Sequence, residues 1–209
     1  MNQQTHKGPN PEEIKNLFNS IASTYDKSND VITMGFVRPW RKAMIKYSGA
    51  KFGDSVLDWA TGTGDLAIEF KKVVGNKGYV LGTDFCEGML DEAPLKAEKQ
   101  NLEVDFEIAD ATDLQYEDNR FDITSIGYGI RNVNDPVKAL SEMARVTRPG
   151  GSVVVLETGD TKNPILQPFI NLYFKHLVPR IGGWTSGKPE AYEYLNKSSN
   201  SFPSRNQFV

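Results

Sequence analysis

The sequence has few of the side chains that bind metals or form disulfides. It contains one cysteine, Cys86, and two histidines, His6 and His176, among 209 residues. A single cysteine cannot form an internal disulfide, and so few soft ligands do not suffice for a typical zinc site. The sequence therefore predicts no metal centre, and it favours a reducing, cytoplasmic setting.

Long apolar runs and blocks of basic residues are also missing. No apolar run approaches the roughly 20 residues that a membrane-spanning helix needs, and the polar segment 1–11 lacks the apolar core of a secretory signal. The formal net charge is −3, and lysine and arginine are scattered, which argues against nucleic acid as a partner. Any contact with a membrane is expected to be peripheral.

Short apolar runs alternate with helical patterns, which is typical of a parallel sheet with crossover helices. The predicted strands are 55–59, 78–83, 104–109, 121–126 and 152–156. The predicted helices are 12–25, a stretch between Gly35 and Gly49, 65–74, 89–99, 136–146, 165–178 and a short one near 191–195. The segment 148–151 is expected to be a turn, and Pro179 with Gly182-Gly183 is expected to end the helix before them.

The segment from Val56 to Ala67 is the most informative, because a strand leads through two glycines into a helix. Gly62 and Gly64 let the backbone approach a ligand, and the helix presents unpaired N–H groups at its start. Asp84 ends the next strand, 20 residues after Gly64, where a carboxylate can accept hydrogen bonds from two ribose hydroxyls. This combination predicts a nucleotide-type ligand.

The glycines alone do not distinguish NAD from S-adenosylmethionine, because the pattern also satisfies the relaxed dinucleotide fingerprint. Asp58, four residues before Gly62, would repel a pyrophosphate but suits a cationic sulfonium and ammonium. Asp110-Ala111 closes the third strand, where an adenine amine can be bound. Aspartate is also a common cap of turns and helices, so Asp58 taken alone fits a structural role equally well.

Further segments match a known family. They are FNSIASTYD (18–26), Asn29-Asp30, GTGD (62–65), GIRNV (129–133), RPGG (148–151) with Leu156-Glu157, VPRIG (178–182) and 192–195. On these motifs the chain resembles class I S-adenosylmethionine methyltransferases. More narrowly, the GIRNV and FNSIASTYD segments resemble the quinol C-methyltransferases of menaquinone and ubiquinone biosynthesis.

The resemblance implies an α/β, Rossmann-like class I fold, with a mainly parallel sheet, helices on both faces and a helical N-terminal preface. It divides one domain into a preface or lid (1–50), a cofactor-binding core (51–160) and a helical substrate-side segment (161–209). Such sheets normally finish with another helix and a two-strand hairpin. Nothing up to Val209 supplies them, so these last strands are expected to be missing.

The resemblance also implies S-adenosylmethionine as the cofactor and assigns residues to it. Those carried over from the family motif are Thr63, Asp84, Asp110-Ala111 and Gly127. With Asp58, Gly62 and Gly64 they complete the predicted cofactor site. Since relatives often have serine where Gly127 stands, only a backbone contact is expected there.

Three residues are expected to serve catalysis if the acceptor is a quinol ring carbon. Arg131 would stabilise the phenolate that forms when a hydroxyl loses its proton, and Asn132 would hydrogen-bond the same oxygen. Tyr25 would close over the substrate together with Arg38. An imidazole can serve as a base, but the apolar sequence context of His176 favours a structural role.

The expected substrate is an isoprenoid quinol, either naphthoquinol or benzoquinol, whose tail needs an apolar channel or access to a membrane surface. The stretch 165–178 is a candidate lining of that channel. Peripheral membrane contact and a homodimer are both compatible with this interpretation. Two alternatives stay open: a class I methyltransferase for another small acceptor, and a non-catalytic nucleotide-binding subunit.

Overall fold

The computed structural model describes residues 8–158, 168 and 172–201. The helices are α1 (Pro11–Ile32), α2 (Val37–Ser48), α3 (Asp65–Val74), α4 (Glu87–Leu90), α5 (Glu92–Glu98), α6 (Pro136–Val146), α7 (Val178–Ser186) and α8 (Pro189–Ser201). The strands are β1 (Ser55–Trp59), β2 (Tyr79–Asp84), β3 (Asp105–Ile108), β4 (Phe121–Gly127) and β5 (Thr147–Leu156). A 3₁₀ turn (Ile130–Asn132) follows β4, and a π-helical turn (Tyr173–Leu177) leads into α7.

The strands form one parallel sheet in the order β3-β2-β1-β4-β5. Leu57 in the middle of β1 pairs with Leu81 on one side and Thr124 on the other. The winding direction reverses between β1 and β4, and open α/β sheets bind ligands at the carboxyl ends of the strands beside such a reversal. The glycine loop that follows β1 therefore lies where this fold builds its ligand site.

Helices cover both faces of the sheet, because successive side chains of a strand point in opposite directions. Leu57 packs in a cluster with Met143 of α6 on one face. Val56 packs on the other face, in a cluster with Ile45 of α2 and Phe70 of α3. The predicted parallel α/β sheet with a helical N-terminal preface is confirmed.

A third apolar cluster lies outside the sheet and joins α1 to the C-terminal helices. Ile14 and Ile21 of α1 belong to it with Met89 of α4, Val178 of α7 and Tyr192 of α8. Each of these five side chains is at most 3 % exposed. Helix α1 is therefore fixed by apolar packing and not only by its connection to the rest of the chain.

Two predicted elements near prolines and glycines are wrong. The helix expected at 89–99 is divided into α4 and α5, because Pro94 is tolerated near the start of α5 but would interrupt a continuous helix. The turn expected at 148–151 belongs to β5 instead. There the register with β4 shifts between Phe121 and Ile123, and Gly150 adopts φ +81°.

The predicted end of the helix before Gly182-Gly183 is also wrong. Helix α7 runs through both glycines to Ser186 and ends at Gly187, which adopts φ +71°. Pro179 lies in its first turn, where a missing N–H costs no hydrogen bond. A Cβ on Gly182 would overlap the ring of Tyr192, so this glycine permits the close packing of α7 on α8.

The expected helix at 165–178 is described only at residue 168 and from 172 onward, where the backbone is helical; its remaining residues, among them Phe169 and Ile170, lie outside the described residues. The short helix expected near 191–195 is part of the longer α8. Among the helices of the described ranges, none has the length and apolar character that crossing a membrane requires.

Candidate active site

A cavity of ≈ 160 Å³ opens at the carboxyl ends of β1, β2 and β4. Of the predicted cofactor residues, those that line it are Gly62, Asp84, Asp110, Ala111 and Gly127. Phe85 and Met89 contribute apolar walls. Five residues that the sequence assigned to one ligand thus surround one cavity, which we name the nucleoside cavity.

Asp84 is held rigidly at the end of β2. Its Oδ2 accepts a hydrogen bond from the Gly62 N–H at 2.8 Å, and its Oδ1 accepts one from the Cys86 N–H at 2.9 Å. Burial raises the pKa of the Asp84 carboxyl, while these backbone donors act in the opposite direction. Since each carboxylate oxygen has a further lone pair, Asp84 can still accept hydrogen bonds from a diol in the cavity.

The two loop glycines have different surroundings. Gly62 adopts φ +58° and lines the cavity. Gly64 adopts φ +79°, and a Cβ there would lie 2.8 Å from the Cβ of Ala93 and 3.0 Å from the ring of Phe106. Gly64 does not line the nucleoside cavity. Its small size lets the loop pack on α5 and β3.

A smaller cavity of ≈ 40 Å³ adjoins the first and is lined by Asp58, Thr63 and Arg41 among others. Asp58 is 1 % exposed. Its Oδ1 accepts from the Ser125 hydroxyl and its Oδ2 from the Thr61 hydroxyl, both at 2.6 Å. A carboxylate and a guanidinium beside one small cavity match the ammonium and carboxylate of an amino-acid zwitterion. We name it the amino-acid cavity.

The Thr63 side chain is engaged in a charged network that reaches α1 and α5. Its hydroxyl donates to Asp26 at 2.6 Å, and Lys96 donates to Asp26 at 2.6 Å and to Thr63 at 3.1 Å. Lys96 and Arg41 both form ion pairs with Asp65. Although burial alone would raise it, these two cations lower the pKa of Asp65. The network connects α1 and α2 to the glycine loop.

A third cavity of ≈ 480 Å³ is almost entirely apolar. It lies between α1, the start of α2, the π-helical turn and α8, and its walls include Ile32, Val37, Val178 and Leu195. Arg131 is the one charged residue that the described part of the chain contributes to its lining. We name it the apolar cavity.

Arg131 forms a buried ion pair beside this cavity. Its guanidinium donates to Glu157 Oε1 and, at 3.4 Å, to the Thr158 hydroxyl. The two side chains of the pair are only 10 % and 8 % exposed. Among the residues that the structure describes, Arg131 Nε and Glu157 Oε2 have no hydrogen-bond partner. A buried donor without a partner is costly, and a ligand oxygen would relieve that cost.

Tyr25 and Tyr128 line all three cavities and therefore mark where they meet. Burial raises the pKa of both phenols, and Asn29 partly offsets this effect at Tyr25. Tyr128 adopts φ +60°, which is strained for a residue with a side chain. Its hydroxyl has no hydrogen-bond partner in the described ranges. Strain and an unused hydroxyl together mark this junction as functional.

The remaining candidate residues do not lie together. Asn132 lines the nucleoside cavity and accepts a hydrogen bond from Tyr194 at 3.0 Å, whereas Arg131 lines the apolar cavity. The two side chains therefore face different cavities. Arg38 is exposed and forms an ion pair with Asp30. His176 is exposed, so the expected structural role in a core is wrong.

Sequence reasoning did not identify Tyr128, Arg41 or Glu157 as functional. One signal for Arg41 was available, because it shares the buried helical face of α2 with Met44 and Ile45, where a cation needs a partner. A signal was also available for Tyr128 and Glu157. Each directly follows the end of a strand, and the sheet order brings such positions to the cavities.

Solved structures share this architecture. A SAM-dependent methyltransferase from Aquifex aeolicus superposes with a TM-score of 0.53 at 27% identity, covering 59% of this chain and 66% of its own. The [4+2]-cyclase SpnF has a TM-score of 0.64 at 20% identity, covering 75% of this chain and 63% of its own. At that identity the likeness shows the fold alone. Fold and site together define a class I methyltransferase that uses S-adenosylmethionine.

The sequence comparisons identify the family. The family model described as the ubiE/COQ5 methyltransferase family matches residues 5–209, and the chain belongs to that family. The Ubiquinone/menaquinone biosynthesis C-methyltransferase UbiE of Bdellovibrio bacteriovorus is 58% identical over 98% of this chain and 87% of its own. The demethylmenaquinone methyltransferase of Staphylococcus aureus is 39% identical over 95% of this chain and 82% of its own.

Asp58 should make stability fall as pH rises. Burial raises the pKa of the Asp58 carboxyl from 3.8 to about 6, so its protonated form favours the folded state. This stabilisation is fully present below the pKa that Asp58 has in the unfolded chain. It is lost as the pH rises through the higher pKa that Asp58 has in the folded protein. Between pH 5 and pH 8 we expect wild type to lose stability, on the order of 1 kcal/mol, that Asp58→Asn does not lose. Chemical denaturation of both proteins at the two pH values measures this, and an identical pH dependence would contradict it.

Proposed function

We propose that this chain transfers a methyl group from S-adenosylmethionine to a ring carbon of a quinol, with demethylmenaquinol as the first candidate and the benzoquinol of the ubiquinone pathway as the second. One observation carries the proposal: an apolar cavity, whose described lining contains one charged residue, Arg131, meets the nucleoside cavity at Tyr25 and Tyr128. The names of the Bdellovibrio and Staphylococcus relatives support the same acceptor class.

The residues around the two polar cavities fit the cofactor. Asp84 would accept hydrogen bonds from the ribose, Asp110-Ala111 would meet the adenine, and Asp58 with Arg41 would hold the ammonium and carboxylate. Gly62 and Gly127 leave room for close approach of the backbone. When bound, S-adenosylmethionine supplies an electrophilic methyl group on a cationic sulfur.

Arg131 would act on the acceptor. A quinol hydroxyl becomes an electron donor to the ring when it loses its proton, and the guanidinium would stabilise the resulting phenolate oxygen. The ring carbon would gain the methyl group as the sulfur–methyl bond breaks and leaves S-adenosylhomocysteine, and loss of the proton on that carbon to solvent would restore the aromatic ring. Arg131 stabilises charge and does not itself take the proton. Glu157 would hold the guanidinium in place through their ion pair.

The helical preface would serve as a lid. Helices α1 and α2 contribute Tyr25 and Trp40 to the apolar cavity, and Arg41 to the amino-acid cavity. The network of Thr63, Asp26 and Lys96 would keep α1 closed over the glycine loop while water is excluded. A substrate with an isoprenoid tail also implies that the enzyme works in peripheral contact with a membrane.

The decisive experiment is an acceptor comparison. The protein is incubated with methyl-labelled S-adenosylmethionine and, in separate reactions under reducing conditions, with demethylmenaquinol, the benzoquinol, a catechol and an amine. We expect label on the quinols, with the label on carbon and one methyl group per ring. Label only on the catechol or the amine would reject the proposed acceptor. Binding of NAD in calorimetry without binding of S-adenosylhomocysteine would reject the cofactor assignment.

A further inference from the structure

The segment 31–53 has a charge balance unlike that of the whole chain. It contains five basic residues and neither aspartate nor glutamate, whereas the complete sequence has a formal net charge of −3. The basic residues are Arg38, Arg41, Lys42, Lys46 and Lys51. The segment therefore has a local excess of positive charge, although lysine and arginine also occur throughout the rest of the sequence.

The exposed surface of α2 is divided into two stripes. Phe36, Trp40 and Tyr47 recur at intervals of four and seven residues and form an aromatic stripe, with exposed fractions of 54 %, 43 % and 84 %. The rings of Phe36 and Trp40 stack with centroids 6.1 Å apart. Such large exposed aromatic side chains, aligned on one face, need an explanation beyond scattered surface residues.

The second stripe is basic and lies on the other side of the exposed surface of the helix. Arg38, Lys42 and Lys46 recur every four residues, and all three are exposed. The opposite face, with Val37 and Met44, is buried against the protein. An aromatic stripe flanked by lysine and arginine is the pattern of helices that lie in the interface of an anionic membrane.

The aromatic stripe begins at the rim of the apolar cavity. Met34, Phe36 and Trp40 line that cavity, and they are also exposed, Met34 by 71 %. Met34 adopts φ +50° and Gly35 adopts φ +78°, which forms the tight turn between α1 and α2. The same side chains therefore face both the interior of the cavity and the outside of the protein.

We propose that the α1–α2 turn and the exposed face of α2 dock on an anionic lipid bilayer. Met34, Phe36, Trp40 and Tyr47 enter the interface between headgroups and acyl chains, and the basic stripe binds the lipid phosphates. The mouth of the apolar cavity then opens directly into the membrane, where an isoprenoid quinol is dissolved. This inference rests on the proposed function for the identity of the quinol, but the docking itself is measured without it.

The test is cosedimentation with vesicles of phosphatidylglycerol and phosphatidylcholine, compared with vesicles of phosphatidylcholine alone. We expect wild type to bind the anionic vesicles and not the neutral ones. Lys42→Gln/Lys46→Gln should weaken binding about 25-fold, since each lysine near an anionic surface contributes about fivefold. The matched control is Lys99→Gln/Lys138→Gln, which removes two exposed lysines outside the segment and should bind like wild type.

Activity on a tail-less naphthohydroquinone separates docking from chemistry. Lys42 and Lys46 line none of the three cavities among the described residues, so their double variant should methylate this soluble acceptor at the wild-type rate. The proposal is overturned if wild type does not pellet with anionic vesicles, or if both lysine pairs weaken binding equally. Vesicle binding as expected with no methylation of any quinol would reject the proposed substrate and support the docking surface.

Discussion

Asp84→Ala is expected to weaken binding of S-adenosylhomocysteine at least about 100-fold, because a carboxylate that accepts hydrogen bonds from two hydroxyls contributes about 1.5–3 kcal/mol through each. The substitution also removes the acceptor of the Gly62 and Cys86 N–H groups. Gly62 lines both polar cavities, so the loop that holds the ligand loses its own support. Calorimetric titration of the folded variant measures the change.

Two further variants test whether the effect requires the charge of Asp84 and whether it is specific to this position. Asp84→Asn keeps one acceptor oxygen and should bind more tightly than Asp84→Ala but more weakly than wild type. Asp105→Ala removes an exposed carboxylate at the start of β3 and should leave affinity unchanged. Ligand-induced thermal stabilisation provides a second readout, because only a ligand that binds the folded state raises the unfolding temperature. Wild-type affinity in Asp84→Ala would remove the ribose assignment.

The sequence predicts the first and last residues correctly for those helices and strands that have clear local signals. Strand β1 is a short apolar run, and α3 and α6 have apolar periodicity between recognisable ends. Asp135 caps α6 by accepting a hydrogen bond from the Lys138 N–H at 2.9 Å. In these segments local preference and tertiary packing agree, so short-range reasoning succeeds.

The errors concentrate where packing between elements overrides local preference. Gly182 has the local signature of a helix end, yet α7 continues through it because Tyr192 of α8 occupies the space where a side chain would be. Gly150 has the signature of a turn, yet it permits a bulge within β5. A glycine can be required by a backbone conformation with positive φ or by a neighbouring side chain that occupies the space of a Cβ. The sequence alone does not distinguish these two reasons.

The residues of the candidate site also differ in whether local sequence signals predict them. Asp84, Gly62 and Asp110 follow successive elements of the sheet, so strand-end position alone predicts that they share a cavity. Tyr128 directly follows β4 and so has the same strand-end position, whereas Arg41 comes from a helix far away in the sequence. The two meet at the amino-acid cavity because α2 packs on β5 and α3, beside the end of β4. No spacing rule links Arg41 to the strand ends, which is why it was not predicted.

Arg131→Ala is expected to lower kcat on a quinol by about 100-fold to 1,000-fold, the usual loss when one donor to a developing oxyanion is removed. Affinity for S-adenosylhomocysteine should change little, since Arg131 lines the apolar cavity and not the two polar ones. Steady-state kinetics and calorimetry on the same preparation separate the two effects. Removing one partner of a buried ion pair also destabilises a protein by about 3–5 kcal/mol, so folding must be checked independently.

The pH profile distinguishes stabilisation of the phenolate from a merely structural role of Arg131. A phenol has a pKa of about 10, so its ionised fraction rises about tenfold per pH unit below that value. The Ala variant should recover activity with that slope between pH 7 and pH 9, whereas wild type should depend on pH less steeply.

Arg131→Lys keeps a cation and should retain more activity at neutral pH. Glu157→Gln preserves the shape and a hydrogen-bond acceptor for the guanidinium, so it should remain more active than Arg131→Ala. An equal loss at every pH in the Ala variant would mean that Arg131 holds the fold of the site and does not act on the substrate oxygen.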